Sequence, residues 1–119
     1  MSFINENFML KNEVAVKLYN EFAKDKPIID YHCHLSPKMI AENHKFKNAC
    51  ELFLGGDHYK WRQMRSNGVP ENLVTGDADP YDKFVEFAKA LEMAIGNPMY
   101  HGSNLELHKY FGIEEALTV

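Results

Sequence analysis

The chain has 119 residues, a formal net charge of -4, 45% hydrophobic residues and 13% aromatic residues. That length holds one domain at most, and the apolar content is too high for a disordered tail. The acidic balance gives no basic face for phosphate backbones, so nucleic acid is not an expected partner, and no run approaches the ~18 apolar residues of a membrane span.

The opening "MSFINENFML" lacks the charged start and apolar stretch of a secretory signal, and there are only two cysteines, Cys33 and Cys50. A reduced, soluble, cytoplasmic protein is the expectation. "KNEVAVKLYNEFAKD" predicts a helix over 11–24, with Val14, Leu18, Tyr19 and Phe22 on one face and Pro27 stopping it. "IIDYH" then changes character: the β-branched Ile28 and Ile29 and the aromatic Tyr31 predict a strand over 28–33. Ser36-Pro37 opens a short helix on "KMIAEN".

"NACELFLGG" predicts another short helix, closed by Gly55 and Gly56. Asp57 caps a helix over 58–66 that ends at Asn67-Gly68. "VPENLVTGDADP" reads as a loop with room for one helical turn. Asp79 and Pro80 open the longest predicted helix, with Phe84, Phe87, Ala88, Leu91 and Ile95 as its buried stripe. Asn97-Pro98 starts a last helical region that Gly112 closes, and Ser103-x-x-Glu106 marks either a capping box within it or a fresh start after Gly102. One strand among five or six helices is an odd inventory, because a lone strand leaves its backbone N–H and C=O groups without partners. The expectation is the front piece of something larger.

Chemistry concentrates first in "IIDYHCHLSP", residues 28–37. Side chains alternate along a strand, so His32 and His34 would point the same way, about 6.6 Å apart at ~3.3 Å per residue. Two imidazoles so placed can converge on one divalent cation. Cys33 would face the other side, and Asp30, on the histidines' face, could accept a ring N–H and orient a ligand from behind. A chance His-x-His of partly buried packing histidines reads the same residues without a metal. The second concentration is "DHYKWR": Asp57 caps a helix whose exposed first turn suits an anion, which makes His58, Tyr59 and Arg62 candidate contacts for a carboxylate. The plain alternative there is helix packing, with Trp61 and Met64 in the core and Lys60 and Arg65 in solvent. His44 is expected in an exposed loop, and His101 and His108 as structural or surface residues.

An apolar run ending in "DYHCHL" is similar to the first barrel strand of the amidohydrolase superfamily. More closely, Phe46-Lys47-Asn48, "GDHYKWRQMRSNGV" (56–69), "TGDA" (75–78) and "IGNPMYHGSNLELHKYFGI" (95–113) resemble the uronate, or glucuronate, isomerase family. The resemblance runs along nearly all of the chain. It implies an α/β fold in which residues 1–119 form the N-terminal portion of a distorted (β/α)8 barrel: a leading helix, the first strand and a helical insertion. It implies that the full-length enzyme interconverts D-glucuronate with D-fructuronate and D-galacturonate with D-tagaturonate. It implies a divalent metal on His32 and His34, zinc first, with manganese or iron compatible. It further implies Tyr59 reaching the substrate with His58 and Arg62 nearby, catalytic groups beyond residue 119, a homo-oligomeric enzyme, and an isolated segment without activity.

His-x-His by itself does not separate an isomerase from a metal-dependent amidohydrolase-type hydrolase; the "DHYKWR" and "GNPMYH" segments favour the isomerase. A non-catalytic helical interaction module is the third class, and a closed core in an isolated chain would favour it.

Overall fold

The computed structural model describes residues 3–119. It divides into two compact units, one of Met1–His32 with Asn104–Ala116 and one of Cys33–Ser103 with Leu117–Val119. Among the described residues every regular element is a helix.

In the first unit, α1 (Glu13–Leu18) starts where the Asn12 side chain accepts a hydrogen bond from the Ala15 amide at 2.9 Å. The helix does not keep its period to residue 24. It widens into a π turn over Tyr19–Ala23, in which the Lys24 amide reaches back five residues to the Tyr19 carbonyl at 2.8 Å. The predicted face of Val14, Leu18, Tyr19 and Phe22 is exposed along its whole length. The buried apolar side chains of this unit are Ile4 and Leu107.

The expected strand over 28–33 is not formed, and the α/β expectation is corrected to an all-helical one for the described residues. The reason is in the backbone. A strand is held by a ladder to another extended segment, and among the described residues no second segment pairs with this one. Ile28, Ile29 and Tyr31 are 90%, 85% and 96% exposed, so the apolar composition that predicted a strand buries nothing here. The Asp30 carboxylate accepts from the His32 amide at 3.0 Å, a local bond made by a side chain instead of a neighbouring strand.

The second unit carries the core. Its helices are α2 (Pro37–Ala41), α3 (Ala49–Leu54), α4 (His58–Ser66) and α5 (Pro80–Glu92), with a single 3₁₀ turn at Glu71–Leu73 in the predicted loop. The longest helix is α6 (Pro98–Phe111), which begins in this unit and ends in the first. It is continuous through Ser103, which is buried, so neither a capping box nor a fresh start interrupts it. The expected caps are present at Asp57 and Asp79, and Asn48 caps α3 in the same way, each accepting from amides of the first turn. Ser36 precedes Pro37 as expected, but its hydroxyl makes no cap bond. Gly68, at φ 79°, takes the left-handed position that ends α4.

Helix α5 packs against α3, α4 and the 3₁₀ turn. Phe53, Leu54, Met64, Val74, Phe87, Ala88, Ala90 and Leu91 fill the space between them. Phe53, Phe84 and Phe87 meet as an aromatic cluster with centroids 5.8 to 6.3 Å apart. Ile95, expected in this stripe, lies past the last residue of α5 and is exposed.

An exposed clasp ties the end of α4 to the 3₁₀ turn. Arg65 donates Nε and Nη2 to the two carboxylate oxygens of Glu71 at 2.8 and 2.6 Å, and the Thr75 hydroxyl adds a third bond. The guanidinium first, and then the hydroxyl, hold the Glu71 carboxyl down at about 2, against an ordinary 4.5. A carboxyl lowered by folding stabilises the fold above its unfolded pKa and loses that contribution as pH falls through its folded one. The stability difference between wild type and Glu71→Gln is therefore expected to be full above pH 4.5 and to vanish towards pH 2, measured by thermal melts across that range. A difference that does not change with pH would show that the clasp does not depend on the charge.

Candidate active site around His34 and Asp57

Helix α3 ends at Leu54 and α4 starts at His58, so three residues make the corner between them. Gly55 has no space for a side chain, since a Cβ there would lie 2.4 Å from the Glu51 carbonyl oxygen. Gly56 passes close to the preceding loop, and a Cβ on it would lie 3.1 Å from the His34 carbonyl oxygen. This close approach brings Asp57 to His34 across 23 residues of sequence, with Oδ1 at 2.9 Å from the ring Nδ1.

An ionised carboxylate only accepts hydrogen bonds, so Nδ1 of His34 carries a proton, and in the neutral ring the lone pair is then on Nε2. The same Oδ1 takes the Tyr59 amide at 3.0 Å and the Lys60 amide at 3.3 Å, which makes it the cap of α4 as well. The other oxygen, Oδ2, lies 3.2 Å from the Lys60 ammonium. Burial pushes the Asp57 carboxyl up, but the bond from His34 and the charge and bonds of Lys60 outweigh it, and its pKa falls below the ordinary value.

Lys60 was expected in solvent and is only 8% exposed. Its stem runs inward, and its ammonium sits 4.8 Å from the centroid of the Phe53 ring while pairing with Asp57. Spacing along α4 could not distinguish this from a solvated lysine, because the partner ring belongs to α3.

Three rings gather beside the carboxylate. His34 lies 4.9 Å from His58 and 4.7 Å from Tyr59, centroid to centroid, and His58 lies 4.6 Å from Tyr59. The Arg62 guanidinium stands 5.0 Å from the Tyr59 centroid. Of the six candidate residues, the structure thus brings together His34, His58, Tyr59 and Arg62. His32 and Asp30 belong to the other unit, where the Asp30 carboxylate is engaged with the His32 backbone. Asp57, which the sequence disclosed only as a helix cap, also reaches His34. An acidic residue at the start of a helix gives no sign that its oxygen also reaches a histidine 23 positions away. His44, expected in an exposed loop, is half-buried and 3.1 Å from Glu51.

A ring-locked histidine, a second imidazole, a phenol and a guanidinium form a polar surface with one fixed positive charge, suited to an oxygen-rich anion. Comparisons with known proteins give the family of the chain. A family model for glucuronate isomerase matches residues 1–119. The uronate isomerase of Clostridium acetobutylicum is 59% identical over 117 residues, covering 98% of this chain and 25% of that protein. The uronate isomerase of Bacillus subtilis is 59% identical over 116 residues, covering 98% of this chain and 24% of that protein. The crystal structure of the Thermotoga maritima uronate isomerase matches with a TM-score of 0.89 at 37% identity, over 99% of this chain and 26% of that one. The chain belongs to the glucuronate isomerase family. It spans about a quarter of the length of the curated relatives it matches.

Proposed function

We propose that this chain is the N-terminal segment of a uronate isomerase, an aldose–ketose isomerase that interconverts D-glucuronate with D-fructuronate and D-galacturonate with D-tagaturonate. The observation that carries the reading is the cluster of His34, His58 and Tyr59 around the Asp57 carboxylate, in a chain that belongs to this family. The reaction moves a proton between C2 and C1 through an enediol, and polar groups stabilise the charge that develops on the sugar oxygens. Tyr59 and His58 are the groups of this segment that donate to those oxygens, and Arg62 is suited to the carboxylate of the sugar acid.

His32 and His34 would hold a divalent metal, in the manner of the amidohydrolase superfamily. Both are imidazoles with the single residue Cys33 between them, and His34 has its Nδ1 on a carboxylate, the arrangement that orients a metal-binding ring. Such a metal would act as a Lewis acid towards substrate oxygens, with zinc the first choice and manganese or iron compatible. The enzyme would work in the cytoplasm as a homo-oligomer. Both cysteines are free thiols, which fits a reducing compartment, and among the described residues no helix is long and apolar enough to cross a membrane.

The test uses the full-length protein. Tyr59→Phe is expected to lower kcat/KM for D-glucuronate about 10-fold or more, since a hydrogen bond to a charged group is worth ~1.5–3 kcal/mol. Its melting temperature should hardly move, because the ring is kept and half of it already faces solvent. His32→Ala is expected to lower the bound metal seen by elemental analysis. Unchanged kinetics with a large drop in melting temperature would make Tyr59 a packing residue. Wild-type metal content in His32→Ala would remove His32 from the ligand set.

A further inference from the structure

The Asp57 carboxylate does two jobs that are usually separate. Through Oδ1 it receives Nδ1–H of His34 and the first amides of α4, so one atom sets both the ring of the histidine and the start of the helix that carries His58 and Tyr59. Lys60, one turn on and buried, holds Oδ2 from the core side with its ammonium over Phe53. The carboxylate is therefore gripped at both oxygens and cannot turn without losing a bond. The glycine corner brings the backbone close to the His34 loop, where a Cβ on Gly56 would lie 3.1 Å from the His34 carbonyl oxygen.

We propose that Asp57 is the positioning residue of this site, a single carboxylate that fixes the orientation and tautomer of His34 in register with His58 and Tyr59. The inference rests on the reading of His34 as a metal ligand. With Nδ1 committed to Asp57, His34 presents Nε2 as its coordinating nitrogen, at an angle set by the start of α4. Asp30, the residue whose position in sequence first pointed to this role, has its carboxylate on the His32 amide instead.

The experiment compares Asp57→Ser, Asp57→Asn and His34→Ala in the full-length protein, reading zinc affinity by competition with a chromophoric chelator and folding by melting temperature. Serine caps a helix about as well as aspartate, but its shorter side chain does not reach His34. Asparagine keeps both the cap and an acceptor oxygen at the same reach. Asp57→Ser is expected to weaken zinc binding ~10–100-fold, as loss of the carboxylate behind a ligating histidine does, and Asp57→Asn is expected to restore most of that loss. In the metal-free wild type, imidazole ¹⁵N shifts should show His34 as the Nδ1–H tautomer, with its signals identified by their absence in His34→Ala. This reading does not depend on any aspartate variant folding. Wild-type zinc affinity in Asp57→Ser, with affinity lost in His34→Ala, would overturn the inference and leave the metal site standing. An Nε2–H tautomer in the wild type would overturn it as well. Wild-type affinity in His34→Ala would overturn the metal reading, and the inference with it.

Discussion

Residues 1–119 expressed alone are expected to convert no measurable D-glucuronate, with or without added zinc or manganese, while the full-length protein turns it over. Two histidines supply at most half of a four-coordinate shell. Among the described residues, no three His, Cys, Asp or Glu side chains are grouped to hold a metal ion. The curated relatives are about four times longer than this segment, so most of a relative's length has no counterpart here to complete the shell or supply a base. Catalysis also needs groups held to within a fraction of an ångström, and the loop of His32 is exposed. The assay follows ketose formation by the purified segment beside a full-length control. Metal-dependent turnover by the segment, abolished by His32→Ala, would require a complete active site within 119 residues.

The second large effect is on stability. Phe87 is fully buried where α5 meets α3, with the Phe53 and Phe84 rings beside it. Cutting it to alanine removes the apolar contacts of the ring and leaves a void that a packed helical core closes only in part. Phe87→Ala is expected to cost ~3–5 kcal/mol. Ile95→Ala is the matched control, because sequence periodicity assigned it to the same stripe and the structure exposes it; it should stay within ~0.5 kcal/mol. Urea unfolding of the full-length protein followed by circular dichroism compares the two. Equal losses would mean that the stripe extends beyond α5 after all.

The contrast between those two residues shows what was legible in the sequence. Helix ends are written locally, in a cap side chain or a glycine, and the starts at Asp57 and Asp79 and the stop at Gly68 were readable for that reason. Phe87, Ala88 and Leu91 followed from helical spacing, whereas Ile95 failed because the periodicity continues past the point where the backbone stops being helical. The stretch 28–33 failed for a different reason. Its composition favours a strand, but strand formation is a property of two segments, and nothing in Ile28, Ile29 or Tyr31 says whether a partner is within reach. Within the candidate site, His34, His58, Tyr59 and Arg62 were legible from residue type and motif. The Asp57 bond to His34 and the burial of Lys60 were not, since both depend on how the α3–α4 corner folds back.

That corner also limits how the chain can change in length. Gly55, Gly56 and Asp57 are the whole connection between α3 and α4. One added residue would shift Asp57 along the chain by up to ~3.8 Å, more than the 2.9 Å that now separates it from His34. Insertions or deletions here would unhook the histidine while leaving both helices intact, whereas the exposed positions 75–77, between the buried Val74 and the cap Asp79, have no such register with His34 to keep. Natural length variation and engineered insertions should therefore collect in the second place and be absent from the first.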